Sequence, residues 1–280
     1  MSINIKTHNT IKTTTEISDI SNPNLLINPD FKINQRGQST YNISPGSGYT
    51  VDRWKMWNGT LTVNSNKTIT YKNASGQASV LNQILENPCT EECMLSVYVE
   101  NLTGVGYIYG SDSSDKLTGI ISLTKGLNFI KLSSCASVNI KLVPDTVALC
   151  SITIKYVKLE KGTNVTQFIE PNPATELLKC QRYYIKYHQL ICIPATLFVA
   201  NVSQSAGAYT PLTRHLPIKM RVDPSAKCSS MTANNGNNIG LQFSLAADSA
   251  EIKSVILNNN TTMNYYIISI NDLELNAEIY

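Results

Sequence analysis

Residues able to do chemistry are few and scattered in this chain. The three histidines, His8, His188 and His215, stand in no serine or cysteine elbow, and no Gly-x-Ser-x-Gly string occurs. The seven cysteines are Cys89, Cys93, Cys135, Cys150, Cys180, Cys192 and Cys228. Their odd number and mostly apolar settings read as reduced thiols serving as small core residues. Cys89-x-x-x-Cys93 has the spacing of half a zinc site, but no second pair matches it and no histidine lies near. No metal or cofactor is expected. Glycoside cleavage needs two carboxylates about 5–10 Å apart, drawn from anywhere in the sequence. Asp52, Glu86, Glu91, Glu92, Glu100, Asp112 and Asp115 are the candidates, several of them beside turns where acids are solvated. Asp112–Asp115 lacks the spacing and terminal glutamate of a calcium loop, and Gly104-x-Gly106 runs into Tyr107 and Ile108 rather than a helix. The expectation is a protein that is not an enzyme, with a glycan depolymerase as the alternative that carboxylate pairs keep open.

The aromatic residues point to binding. Trp54 and Trp57 are the only tryptophans. Positions three apart on a strand face opposite sides, so one belongs in the core while the other can be exposed. Flat aromatic rings with a polar tip suit sugar rings. Trp54, Trp57, Tyr41 and Tyr98 are the candidate ligand-binding residues, with Tyr107 and Tyr109 as possible extensions of the platform. Core packing is the competing role for each.

The elements that must position these side chains are strands. Leu95, Val97 and Val99 alternate with polar residues, as do Val138, Ile140 and Leu142, and Ile152, Ile154 and Tyr156. Period-two alternation means one face buried and one wet, as in an antiparallel sandwich. No βαβ rhythm appears, which argues against a parallel-sheet enzyme fold. Ile69–Lys72 is a further strand. Asn58-Gly59, between Tyr49–Trp57 and Thr60–Val63, predicts a type I′ hairpin turn. The fold class expected is all-β: an N-terminal jelly-roll β-sandwich of about eight strands, a short linking helix, and a smaller C-terminal antiparallel β domain.

The division expected is an arm over 1–20, a jelly-roll domain over 21–171, a linking helix and strand opening over 172–187, and a C-terminal β domain over 188–280. The arm is polar and Thr-rich, and as a free segment it has too few apolar groups to fold. At the joint, Pro171 and Pro173 restrict the backbone, and Asn172-Pro173 is a helix start. Glu176 suits the first turn, where the helix dipole favours negative charge. Ala174, Leu177 and Leu178 share one face, which Cys180 and Tyr184 extend, and a helix this short must dock on something. In the C-terminal part the candidate strands are 183–190, 191–200, 241–246, 252–257 and 265–271. Asn258–Asn260 is a hairpin turn, and Pro211 to Pro224 is loop or edge strand.

Composition narrows the partners. The 280 residues carry only 15% charged side chains and a net charge of +3, with no basic run, so nucleic acid is not expected as a partner. No stretch approaches the ~18 apolar residues of a membrane span. The N-terminus lacks a signal peptide's apolar core, so synthesis in a cytoplasm is expected.

The segment NLLINPDFKINQRG (Asn24 to Gly37), followed by YTVDRWKM (Tyr49 to Met56), resembles the opening of the jelly-roll, carbohydrate-module-like domain of bacteriophage fibre proteins. VKLEKGTNVTQFIEPNP (Val157 to Pro173) is similar to that domain's closing strand and exit, and ATELLKCQRYY (Ala174 to Tyr184) to the opening of the C-terminal β domain. LPIKMRVDPSA and the closing NDLELNAEIY follow the same pattern loosely. The resemblance implies a virion protein of the tail or head fibre type, made in the bacterial cytoplasm, and usually a homotrimer with the helix near the threefold axis. Leu177, Leu178, Gln181 and Tyr184 are then the expected oligomer-interface residues, and residues 1–20 the attachment to other virion proteins. It also implies a surface suited to bacterial polysaccharide, with host adsorption as the task. A purely architectural capsid or tail component is the alternative.

Overall fold

A computed structural model describes residues 21–74, 76–143, 149–192, 208–233, 239–245, 249–256 and 268–278. Among these residues the chain is all-β with one helix. Ten strands come first: β1 (Thr40–Tyr49), β2 (Lys55–Val63), β3 (Ile69–Lys72), β4 (Ser79–Cys89), β5 (Cys93–Thr103), β6 (Val105–Ser111), β7 (Leu117–Ser122), β8 (Gly126–Leu132), β9 (Cys135–Val143) and β10 (Ser151–Lys161). Their hydrogen-bonded order is β7-β6-β9-β4-β2-β3-β10-β5-β8, with β1 alongside β2. Every pairing is antiparallel, and alternate residues of each strand supply one apolar core. Leu81, Ile108, Val138 and Ile140 come from one layer, and Leu61, Tyr71, Leu95, Val97 and Ile152 from the other. Each such apolar side chain gains about 1.5–3 kcal/mol on burial, which sets the register, because a slip of one residue would turn the whole set outward.

Strand β2 joins the two layers. Lys55–Trp57 pair with β4, and Thr60–Val63 pair with β3. The crossing lies at Asn58 and Gly59, both at positive φ (45° and 150°). The expected hairpin turn is therefore an internal bend of one strand. A Cβ at Gly59 would run into the Lys72 carbonyl oxygen and Ser79 Oγ, so only glycine fits. Asn58 Oδ1 accepts a hydrogen bond from Gly46 N (3.0 Å), tying the bend to a bulge in β1. The true β1–β2 turn is Thr50–Trp54, closed by Thr50 N donating to Trp54 O (2.8 Å), with Arg53 held at φ 70°. Sequence preference placed the turn where two residues tolerate positive φ. Burial of Val51, Asp52, Arg53 and Trp54 placed it elsewhere.

A second departure lies in β10. The register shifts around Lys155, whose flanking residues Ile154 and Tyr156 pair with the consecutive Val99 and Tyr98. This bulge reverses the inward phase. Ile152 and Ile154 point in, Tyr156 points out, and Val157 and Leu159 point in.

After β10 the chain folds back over that strand and enters α1 (Pro173–Gln181). Asn172 caps it, its Oδ1 accepting from Ala174 N (3.0 Å) and Thr175 N (3.2 Å), with Pro173 at the first helical position. The docked face differs from the one read off the apolar spacing. Glu176 and Cys180 are buried, Ala174 and Leu178 are exposed, and Leu177 and Gln181 are half-buried. The reason is specific: Glu176 Oε1 accepts from Asn28 N (2.6 Å), so a hydrogen bond to the sandwich outweighs the apolar stripe. Tyr184 is 1% exposed inside its own chain.

Beyond the helix lie β11 (Tyr184–Cys192), β12 (Ala208–His215), β13 (Ser225–Lys227), β14 (Ser230–Ala233), β15 (Ile239–Leu245), β16 (Ser249–Ile256) and β17 (Ile268–Asn276). β11, β13 and β14 pair with β17, and β16 lies between β12 and β15. Pro211 sits in β12, an edge strand, as a residue without an N–H must. The arm over 1–20, the segment 193–200 and the Asn258–Asn260 turn fall outside the described residues.

The sandwich and the β17 sheet share a buried joint. Arg53 Nη1 donates to Glu278 Oε2 (2.6 Å), and its guanidinium lies 3.7 Å from the Tyr183 ring centre. Arg36 lies 3.8 Å from the Tyr184 ring centre and within 3.5–3.7 Å of Glu278 and Asp52. Gln35 Nε2 donates to Tyr184 O (2.7 Å), and Ala277 N to Tyr183 O (2.7 Å). No described helix is long and apolar enough to cross a membrane.

Candidate functional site

The catalytic possibilities can be placed one by one. Asp52 and Glu278 flank Arg36, but both carboxylates are fully buried, so no substrate reaches them. Burial pushes the Asp52 carboxyl up to about 6 against the pull of Arg36 and Gln35. Glu86 pairs with Arg182 (2.7 Å), Glu91 with Lys161 (3.2 Å) and Glu92 with Lys131 (2.7 Å). Asp112 Oδ1 caps its own turn, accepting from Ser114 N and Lys116 N. His188 is exposed, 3.5 Å from Asp272, and His215 is exposed. Cys89, Cys93 and Cys135 are buried neighbours whose burial holds the Cys93 thiol up at about 12, and the Cys135 thiol higher still. Among the described residues no group of three or more His, Cys, Asp or Glu could hold a metal ion.

The aromatic candidates separate cleanly. Trp54 is 0% exposed, with Nε1 donating to Asn28 O (2.8 Å) and its ring 4.9 Å from Phe31. Tyr41 is also buried, its hydroxyl bonded to Asn34 Oδ1. Neither can touch a ligand, so both are corrected to core residues. Trp57 is 54% exposed, and Tyr98 is half-buried, in the other layer.

What surrounds Trp57 follows from strand register. Ser47, Trp57, Val80, Lys141, Tyr107 and Ser122 form one cross-strand row over β1, β2, β4, β9, β6 and β7. The next row on the same outer face is Tyr49, Lys55, Asn82, Asn139, Tyr109 and Ile120. Three strand steps separate Trp57 from Tyr107, about 14 Å at the usual spacing, and Tyr109 lies about 7 Å further along β6. Four aromatic rings, Trp57, Tyr49, Tyr107 and Tyr109, thus stand on one face, with Lys141, Asn82 and Asn139 among them, and Arg36 lies 5.4 Å from the Tyr49 ring centre. Trp57 has no ring contact among the described residues. Sequence reading had singled out Tyr107 and Tyr109, but only the sheet order brings them to Trp57. Lys141 carried no sequence signal at all.

The outer face of the other layer also carries aromatics, and they are stacked on each other. Tyr156 stacks with Tyr98 (5.7 Å) and with Phe168 (4.1 Å, 7° between planes). Lys155 Nζ lies 5.8 Å from the Tyr98 ring centre. Residues Val165 to Gln167 cover β10 beside them. There Lys158 Nζ donates to Thr166 Oγ1 (2.5 Å) and Gln167 O (2.9 Å), and pairs with Glu160 (3.1 Å). Glu160 in turn accepts from Thr166 N (2.9 Å). Lys158 and Glu160 are fully buried, although both point away from the core. A groove of about 330 Å³ remains between Tyr156, Phe168, Leu127 and Ser96.

No protein-family model matches the chain. No curated protein shows significant sequence similarity to it. Among solved structures, a family 29 carbohydrate-binding module variant aligns with 48% of this chain and 100% of its own length, at 13% identity and a TM-score of 0.31. A family 29 carbohydrate-binding module from Piromyces equi aligns with 41% of this chain and 86% of its own length, at 10% identity and a TM-score of 0.27. The family 11 carbohydrate-binding module of a cellulosomal cellulase from Clostridium thermocellum aligns with 55% of this chain and 100% of its own length, at 10% identity and a TM-score of 0.27.

Proposed function

We propose that this chain is a subunit of a bacteriophage virion fibre that adsorbs to glycan on the bacterial surface. The observation that carries the glycan part is the open aromatic face, where Trp57, Tyr107 and Tyr109 share one surface with amides able to donate to and accept from hydroxyls. The virion part rests on the fibre-like segments from Asn24 to Tyr184. In this reading the subunit is a homotrimer, and Leu178, 42% exposed on α1, is the first residue a threefold contact would cover, with Leu177 and Gln181 beside it. Residues 1–20 join it to other virion proteins. Three linked weak sites gain avidity without any new contact.

A glycan array on the purified chain tests the reading, alongside Trp57→Ala and Tyr107→Ala. Binding lost in both variants supports the face. A blank array across host polysaccharides, with the protein still found on the particle, would leave an architectural component. Release of reducing ends from host capsule would turn the reading to a depolymerase.

A further inference from the structure

The open face has a charge bias that its aromatic rings do not explain. The two rows through Trp57 and Lys55 contain no carboxylate, and neither does the following row of Ile84, Ser137, Ser111 and Leu117. Of the two lysines on this surface, Lys55 lines a hollow shared with Glu274, so the charge that the rows leave to account for is that of Lys141. Lys141 is half-buried between Val80 and Tyr107, in the row that links Trp57 to Tyr107, and it makes no ion pair among the described residues. Among the described surface lysines some are matched, Lys32 with Asp30, Lys131 with Glu92, Lys161 with Glu91 and Lys179 with Glu176, while others such as Lys67, Lys72, Lys116 and Lys125 carry no ion pair but are exposed to water, which half-buried Lys141 is not. The fully buried Lys158 has Glu160.

We infer that this face takes an acidic polysaccharide, a chain whose uronate carboxylates meet Lys141 while its ring faces lie on Trp57 and Tyr107. The inference rests on the reading of the face as a glycan site. The half-burial of Lys141 beside Val80 and Tyr107 keeps its ammonium close to the aromatic row, so a carboxylate of a sugar stacked there meets it at the edge of an apolar surface, where a charge-assisted contact gains more than in open water. The flanking rings fix where that carboxylate must fall, because a sugar stacked on Trp57 extends along the row towards Tyr107. Two lysines fall far short of the run of phosphate contacts that holds a nucleic-acid strand. A second copy of this chain would have to offer an acidic patch of matching size.

The test uses the full chain in affinity electrophoresis against polygalacturonate, alginate and hyaluronate, each before and after carboxyl reduction, with oligo(dT) as a further probe. At least one polyuronate should retard the protein. Carboxyl reduction of it should weaken binding about tenfold, as should about 0.5 M salt, which shortens the screening length. Lys141→Gln should weaken binding to the acidic polymer about three- to tenfold and leave the reduced polymer unchanged, and Lys141→Arg should restore it. Reduced and unreduced polymers bound equally, or a Gln variant equal to the parent, would overturn the acidic specificity and leave a neutral glycan site. No polymer bound at all would remove the glycan reading together with the inference. Tighter binding to oligo(dT), or a dimer by light scattering that Trp57→Ala dissolves, would assign the face to another partner.

Discussion

On one outer face of the sandwich, Tyr156 stacks with both Tyr98 and Phe168, and the returning chain buries Lys158 and Glu160 beneath Thr166. On the other, Trp57, Tyr107 and Tyr109 stand in cross-strand rows with nothing described lying over Trp57. The residue types are alike: aromatic rings with lysines close by. The difference is whether each group already has its partner within the chain. In the first face the rings and charges satisfy one another, and what they hold is the segment leading to α1. In the second, Trp57 has no ring contact and Lys141 no ion pair among the described residues. An aromatic cluster on a sheet is therefore evidence of a binding surface only after its internal stacking has been accounted for.

The sharpest way to break this contrast is Lys158→Met. It would leave Glu160 buried without its cation and should cost about 3–5 kcal/mol in denaturant unfolding. Lys158→Met with Glu160→Gln should recover much of that loss. A single variant as stable as the parent would mean that the covered face is not structural. Next in size is a pH effect at the joint to which the covering segment leads. Asp52 titrates near 6 when folded and near 3.8 when unfolded, so its burial favours the protonated form. Below about pH 4 both states hold the proton. As pH rises towards 6 only the unfolded state releases it, and stability should fall by about 3 kcal/mol. Asp52→Asn should remove that slope from a pH series of unfolding curves.

Smaller still, Phe168→Ala should cost about 1–2 kcal/mol in stability, since the ring is half-buried and stacked, and should leave glycan binding unchanged. Trp57→Ala should do the reverse. Its stability should stay within about 0.5 kcal/mol of the parent, while retention on the bound polysaccharide drops. If Phe168→Ala abolished binding and Trp57→Ala did not, the roles of the two faces would be exchanged.

Much of the framework was legible in the sequence because it depends on local rules. Alternation marked the strands, Asn172-Pro173 marked the helix start, and the three-residue spacing of Trp54 and Trp57 allowed one to be core and the other exposed, although Trp54 lies in the turn before β2 rather than on the strand. The misreadings share one cause. Asn58-Gly59 has the backbone freedom of a hairpin turn, but that freedom was used to carry β2 from one layer to the other. Leu177 and Leu178 look like the docking side of a helix, yet Glu176 docks it, since Asn28 offers a buried amide to accept from. Ile152, Ile154 and Tyr156 look like one inward row until the Lys155 bulge reverses the phase.

The amino-acid order by itself determined that this chain is built of β-strands and where its helix begins, and it left one of its two tryptophans free to face out. Those properties follow from backbone preference and side-chain period, which act over a few residues. Only the tertiary structure decided which tryptophan it was, that Tyr107 and Tyr109 would join it, and that Arg53 would meet Glu278 across the joint. Each of those outcomes depends on which strands lie side by side, and strand order is set by how apolar faces from distant parts of the chain close on one core.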